Sequence, residues 1–222
     1  MGAVAATRIT KENLKYTVNA DGQSVTVSGT SGKPTQLTIE SSISDKDKNY
    51  TVTKIATWAF NACNTLTEVT LPNTVDEIGY QAFFKCSNLT KVIIPEGVTK
   101  IGQAAFYGCS QLTSITIPST IKNMDAAFPS NPKLSQVTLT NGIYRISSSA
   151  FKDCTGLTEI KVPTSVYEIC PGAFNGCTNL KRVLLEKNIK TINVNAFKDC
   201  TNLSDVKYNG YKTDWDKVTV NT

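Results

Sequence analysis

The chain predicts an α/β repeat solenoid, seven coils of about 23 residues behind an N-terminal β cap, and three observations carry that expectation. The pair Ala-Phe occurs seven times, at Ala59-Phe60, Ala82-Phe83, Ala105-Phe106, Ala127-Phe128, Ala150-Phe151, Ala173-Phe174 and Ala196-Phe197, and its interval is constant except between Phe106 and Phe128, where it is one shorter. Every other apolar column keeps the same phase. Residues 8–54 stand outside this frame and read as strands. The expected division is residues 1–54 for a tail and β cap, 55–208 for the seven coils, and 209–222 for a C-terminal cap.

Each coil begins with a strand. Leu follows each Phe by six residues, from Leu66 to Leu203, and a β-branched residue follows by nine, from Val69 to Val206. A further apolar residue two positions on (Leu71, Ile94, Ile117, Leu139, Val162, Leu185) gives the period of a strand with one buried face. Pro72, Pro95, Pro118 and Pro163 come next; proline fixes φ and has no N–H, so pairing ends there and the chain turns. The segment Ala-Phe-x-x-Cys-x-x-Leu has three-residue spacing and predicts a short helical or 3₁₀ return on the opposite side. Stacked coils then form one parallel sheet at about 4.8 Å per step. Each Phe packs on the Phe above and below, burial of each being worth roughly 1.5–3 kcal/mol, and Ala is small because backbone passes close to it.

The fourth coil departs from the pattern. It is one residue short at Met124-Asp125-Ala126-Ala127-Phe128, carries Asn131 where Cys is expected and has Thr140 where Pro is expected, so a local kink is predicted there. The sixth has Glu186 in place of Pro and an extra, off-column cysteine, Cys170, and the seventh stops after its strand. In the cap, Leu14–Val18 and Val25–Val27 flank the turn Asn19-Ala20-Asp21-Gly22 and predict a hairpin; Gln36–Ile39 and Tyr50–Ile55 follow. The tail, with Tyr211, Trp215 and Val218, is expected to fold over the last coil.

Composition narrows the chemistry. The 222 residues carry 23 basic and 18 acidic side chains, a net charge of +5 spread without a basic run or an interleaved aromatic platform, so a nucleic-acid partner is not expected. Histidine is absent, which removes the commonest general base and metal ligand. No apolar run approaches the roughly 18 residues of a membrane span. The opening Met1-Gly2-Ala3-Val4-Ala5-Ala6 reads either as an added start or as the remnant of a trimmed export signal.

The strand Leu89-x-x-Val92-x-Ile94-Pro95, the return Ala-Phe-x-x-Cys, and the front segments Leu14–Val18, Asp21-Gly22 and Tyr50–Ile55 closely resemble BspA-type leucine-rich-repeat proteins over roughly residues 12–218. That resemblance implies a leucine-rich-repeat right-handed coil with its parallel sheet on the concave face. It implies a secreted or cell-surface protein of a bacterium or protist, engaged in adhesion or in host or microbe recognition, without catalytic residues or cofactor. Commoner leucine-rich repeats place an Asn ladder three residues after the strand; here that column reads Thr74, Gly97, Thr120, Gly142, Ser165 and Asn188.

Catalytic and metal readings of the residues fail on spacing. Asp45-Lys46-Asp47-Lys48-Asn49 looks like the start of a calcium loop, but Tyr50 and Ala56 occupy the positions that need Gly and an acid. Glu68 and Glu159 lie four coils apart, about 20 Å, and cannot share a glycosidic bond; Glu159 and Asp205 are two coils apart with Arg182 between them. Cys63, Cys86, Cys109, Cys154, Cys177 and Cys200 occupy one column whose step is too long for a disulfide, so buried free thiols are expected. Cys170 either approaches Cys177 or lies exposed.

The expected function is therefore binding, by the outward positions of the strands. The candidate partner-binding residues are Lys91, Ile93, Glu159, Lys161, Lys181, Arg182, Leu184, Asp205 and Lys207: two apolar side chains where water is expected, and a charge-dense stretch in the last three coils. The ligand is expected to be a protein or glycoprotein, host extracellular ones included, met by a monomer. The alternative is a structural spacer within a larger surface protein.

Overall fold

The computed structural model describes residues 7–221; Met1–Ala6 lie outside them, and with them the export-signal reading. Strands β1 (Arg8–Lys11), β2 (Leu14–Val18) and β3 (Ser24–Thr30) pair antiparallel in order. The β2–β3 hairpin turns where the sequence predicts. Asp21 Oδ1 accepts the N–H groups of Gln23 and Ser24 at 2.8 and 2.9 Å, Oδ2 accepts the Ser24 hydroxyl, and Gly22 takes the left-handed conformation at φ 63°. These bonds hold the Asp21 carboxyl below its usual range.

Strands β4 (Gln36–Thr38), β5 (Ser42–Asp45) and β6 (Lys48–Ile55) complete the N-terminal region. β5 and β6 form an antiparallel hairpin, and β6 also runs parallel beside β3. β4 and the end of β6 already stand in the register of the repeats. Leu37 is paired with Val69, and Ile55 with Ile78.

Every later turn contains two short strands. In chain order they are β7 (Glu68–Thr70) and β8 (Glu77–Ile78), β9 (Lys91–Ile93) and β10 (Lys100–Ile101), β11 (Ser114–Ile117) and β12 (Asn123–Met124), β13 (Gln136–Leu139) and β14 (Arg145–Ile146), β15 (Glu159–Val162) and β16 (Glu168–Ile169), β17 (Arg182–Glu186) and β18 (Thr191–Ile192). The last turn has β19 (Asp205–Asn209), the single-turn helix α1 (Lys212–Trp215) and β20 (Thr219–Val220). The first strands pair parallel in three groups, β4-β7-β9, β11-β13 and β15-β17-β19, and the second strands in two, β6-β8-β10 and β12-β14-β16-β18-β20. The architecture is thus a β-solenoid with two parallel strand columns and, among the described residues, eight turns. The sequence predicts seven coils and one sheet. It misses the eighth because the β5–β6 hairpin splits Leu37 from Ile55, and it misses the second column because Val75 and Ile78, three apart, do not show a strand's period.

The returns are not helical, which corrects the α/β expectation. Residues two before and two after each Phe are left-handed in most turns: Trp58 and Ala62, Gln81 and Lys85, Ala104 and Gly108, Ser149 and Asp153, Gly172 and Gly176, Asn195 and Asp199, with φ between 51° and 76°. An α or 3₁₀ helix needs consecutive right-handed residues, so these positions break it. Backbone donors alternate instead. Ala59, Asn61 and Cys63 reach back to carbonyls three residues earlier, while Trp58, Phe60 and Ala62 donate to Tyr80, Ala82 and Phe84 of the next turn at 3.1, 2.7 and 2.7 Å. Ala82, whose carbonyl accepts one of these bonds, is fully buried.

Inside, the phenylalanines stack. Centroids from Phe60 to Phe128 are 4.9, 5.1 and 5.1 Å apart and those from Phe128 to Phe197 are 5.9, 5.6 and 5.3 Å, with ring planes within 13° of parallel. Such centroid distances fall in the range of favourable offset stacks. All seven cysteines are free, and five of them do more than fill space. The Sγ atoms of Cys86, Cys109, Cys154, Cys177 and Cys200 donate to the carbonyls of Phe60, Phe83, Phe128, Phe151 and Phe174 at 3.0–3.2 Å. Burial pushes the Cys86 and Cys154 thiols up to about 12 and that of Cys200 up to about 11, so at neutral pH the donor proton stays on sulfur. Cys170 is buried beside Arg145 and Glu168, not exposed.

The fourth turn carries the expected irregularity. Its second strand, β12, is not paired with β10, so the second column divides at the one-residue deletion. Asn131 replaces the thiol as donor. Its Nδ2 donates to the Phe106 and Phe128 carbonyls at 2.9 and 2.8 Å, leaving its buried Oδ1 without a partner. Thr140, in the proline position, directs both its N–H and its hydroxyl to the Ile117 carbonyl. At the far end α1 lays Trp215 on Tyr208 at 5.2 Å and β20 extends the second column, leaving Val206 half-exposed.

Candidate partner-binding face

Alternation along the first strand of each turn decides which side chains face out. In β15, Ile160 and Val162 are buried while Glu159 and Lys161 are exposed; β17 repeats this with Val183 and Leu185 inside and Arg182 outside. Parallel register then puts Glu159, Arg182 and Asp205 in one row, and Lys161, Leu184 and Lys207 in the next.

The charges in these rows pair with one another. Arg182 reaches Asp205 at 2.7 Å and Glu159 at 3.4 Å, which is the intervening position the sequence assigns it. Asp205, then Glu159, hold its guanidinium more firmly protonated. Lys207 lies 3.8 Å from Asp205, and Lys161 3.7 Å from Glu186. All of these groups are partly open to water, so the pairs set geometry and contribute little to stability. Lys181 is exposed just before β17. Leu184 is only half-buried, and Ile93 is 51% exposed.

Glu159, Lys161, Arg182, Leu184, Asp205 and Lys207 therefore form one contiguous patch, with Lys181 next to it in the chain. Lys91 and Ile93 do not join it. They sit on β9, three turns away, about 15 Å on the strand spacing, where Lys91 pairs with Glu68 at 2.5 Å. The hydroxyls that dominate the first turns have an internal use: Thr67 and Thr90 each bond the carbonyl at the matching position of the preceding turn, Thr35 and Thr67, at 2.8 and 2.9 Å.

Sequence reasoning missed two features. β13 and β15 are not paired, and a cavity of about 530 Å³ opens at that gap, with Val137, Leu139 and Pro163 among its walls and Lys161, Glu186 and Asn141 around it. Val137 is half-exposed there although Ile115 and Ile160, its neighbours in the column, are buried. The other feature is a second charged row on the second column. Glu77 bonds both Lys54 and Lys100, at 2.9 and 2.7 Å, which holds its carboxyl below the usual range, and Arg145 meets Glu168 at 2.7 Å. The signal for it was available, since Lys54, Glu77 and Lys100 recur at the interval of the phenylalanines. Among the described residues no cluster of three or more metal-ligating side chains occurs, and no helix is long and apolar enough to cross a membrane.

Two parallel strand columns, a stacked aromatic spine and a repeated strand-turn-return unit define a leucine-rich-repeat solenoid. The model of the BspA type leucine rich repeat region matches residues 38–154 and 124–216, in six copies, and the chain belongs to that family. It is similar to a leucine-rich repeat protein of Bacteroides ovatus, with 29% identity and a TM-score of 0.77 over 90% of this chain and 53% of that one. The T. pallidum leucine rich repeat protein matches at 25% identity and a TM-score of 0.66, over 97% and 86%. The pneumococcal vaccine antigen PcpA shares the fold at 19% identity and a TM-score of 0.57, over 91% and 70%. The chain spans about half the length of the B. ovatus protein. No curated protein matches it. None of these likenesses indicates an enzymatic family.

Proposed function

We propose that the chain is a non-catalytic binding module of a secreted or cell-surface protein, which recognises a protein or glycoprotein through the outward face of its first strand column. One observation carries this reading: β15, β17 and β19 align six candidate residues into a single patch in which an ordered ionic row borders the half-buried Leu184. A guanidinium held between two carboxylates is pre-oriented, and Arg is enriched at interface hot spots. Membership of the family supports a protein-interaction role, and a neighbour described as a vaccine antigen fits an external location.

The test is a pull-down with the intact chain, followed by Lys161→Glu, Arg182→Glu and Lys207→Glu. Arg182→Glu is expected to weaken the captured partner's association by roughly tenfold while the melting temperature stays close to wild type. Binding that survives all three reversals removes the patch from consideration.

A second reading, a structural spacer, draws on the same ion pairs. Charges satisfied within the face leave less for a partner and keep neighbouring molecules apart. It predicts that this chain alone captures nothing.

A further inference from the structure

Trp58 lies on the return side of the solenoid, away from the ionic patch, and three properties set it apart. It is 56% exposed. Its backbone is left-handed at φ 57°, in a column where other turns place Gln81, Ala104, Ser149, Gly172 or Asn195. Left-handed backbone brings the Cβ of an L residue close to the following carbonyl, and a bulky residue there is uncommon. The chain thus accepts strain at a side chain that gives little burial in return, a combination that points to use and not to packing.

The indole is also held still. Its Nε1 donates to Gln81 Oε1 at 2.7 Å, and the Tyr80 ring meets it edge-on, with centroids 6.1 Å apart and planes at 68°. Tyr80 is itself 41% exposed. The result is a fixed aromatic platform bordered by two uncharged hydrogen-bonding side chains, Tyr80 and Gln81. Beginning one residue after Trp58, a cavity of about 370 Å³ opens between the first return and the loop after β3, with Thr30, Thr65, Asn61, Asn64 and one cation, Lys33, in its walls; the hydroxyls of Thr30 and Thr65 donate to the Gly32 and Pro34 carbonyls and keep their lone pairs as acceptors.

We propose that this platform and cleft bind a neutral glycan. A pyranose ring has an apolar C–H face that covers an aromatic ring and a rim of hydroxyls that exchange hydrogen bonds with amides and hydroxyls, which is the pairing of surfaces found here. An anionic ligand would need more cations than Lys33 supplies, and a charged peptide would need carboxylates that the cleft lacks. The site is independent of the patch on the first strand column.

Affinity electrophoresis of the intact chain through gels containing mannan, β-1,3-glucan, xylan or amylose tests this directly. At least one polysaccharide is expected to retard the protein, with Trp58→Ala weakening retention by roughly tenfold. Tyr80→Ala should weaken it less, and Arg182→Glu should leave it unchanged. Trp58→Gly also relieves the backbone, so it should lose retention with a melting temperature equal to or above wild type, which separates lost binding from unfolding. Retardation by none of the four gels overturns the proposal, as does retention of Trp58→Gly equal to wild type, or retardation by heparin alone.

Discussion

The third and fourth turns are neighbours with the same strand pattern, yet they meet the same internal demand differently. In the third, Cys109 offers one S–H to the Phe83 carbonyl, and the sulfur has no further polar need. In the fourth, Asn131 offers two N–H groups to the carbonyls of Phe106 and Phe128 but buries a carbonyl oxygen that nothing meets. Beyond that turn the aromatic step widens to 5.9 Å, against 5.1 Å before it. What the column requires is therefore a small donor, not an apolar filler. Cysteine meets the requirement completely; asparagine meets it and orphans an acceptor.

The largest test of this contrast removes the spine itself. Phe106→Ala, on the regular side, is expected to cost about 3–5 kcal/mol in denaturant unfolding, since both neighbouring rings lose a partner. Phe128→Ala should cost less, because one of its two steps is already wide. Equal losses would mean that the wider step carries no energetic meaning.

A finer test exchanges the donors. Asn131→Ala should cost about 1–2 kcal/mol by taking the side-chain donor from the Phe106 carbonyl and leaving that of Phe128 with the Cys154 thiol alone, whereas Asn131→Cys should gain up to about 1 kcal/mol by removing the orphaned oxygen. Loss of stability in Asn131→Cys would show that the second bond outweighs the orphan.

The weakest signal lies in pH dependence. The folded state raises the Cys86 and Cys154 thiols to about 12, above the roughly 8.5 of an unfolded cysteine. Between these values the native chain holds protons that the unfolded chain releases, so this contribution is complete below pH ~8.5 and falls as pH rises toward 12, by at most ~1.4 kcal/mol per unit and thiol. Unfolding midpoints measured from pH ~8 to ~10.5 should fall, and a Cys154→Asn variant, which copies the fourth turn, should fall less steeply. Parallel slopes would exclude the thiols as the source.

Much of this architecture was legible in the sequence. Phase alone located the phenylalanine spine, the inward residues of the first column and the neighbours of Arg182, because residues one repeat apart become adjacent. The short fourth turn announced itself through Asn131 and Thr140. The returns did not, since Gln81, Lys85 and Ala104 carry no turn signature yet adopt left-handed backbone while their N–H groups donate to carbonyls of the next turn. The second column was hidden by strands of two residues, too brief for a pattern. The cavity beside Val137 arises from a missing ladder between β13 and β15, a property of pairing that no single residue encodes. The candidate face was legible as a set of outward positions, whereas the isolation of Lys91 and Ile93 from the rest required counting turns.

Alternate donors in each return point to the adjacent turn, so every unit keeps part of its polar bonding in its successor. A cut anywhere inside a unit strands those groups, while a cut between equivalent points of two units restores them all. Length in such a chain is for that reason quantised: genetic gain or loss is tolerated in whole units, and the single missing residue of the fourth turn marks how far from that quantum a unit can stray before a ladder opens.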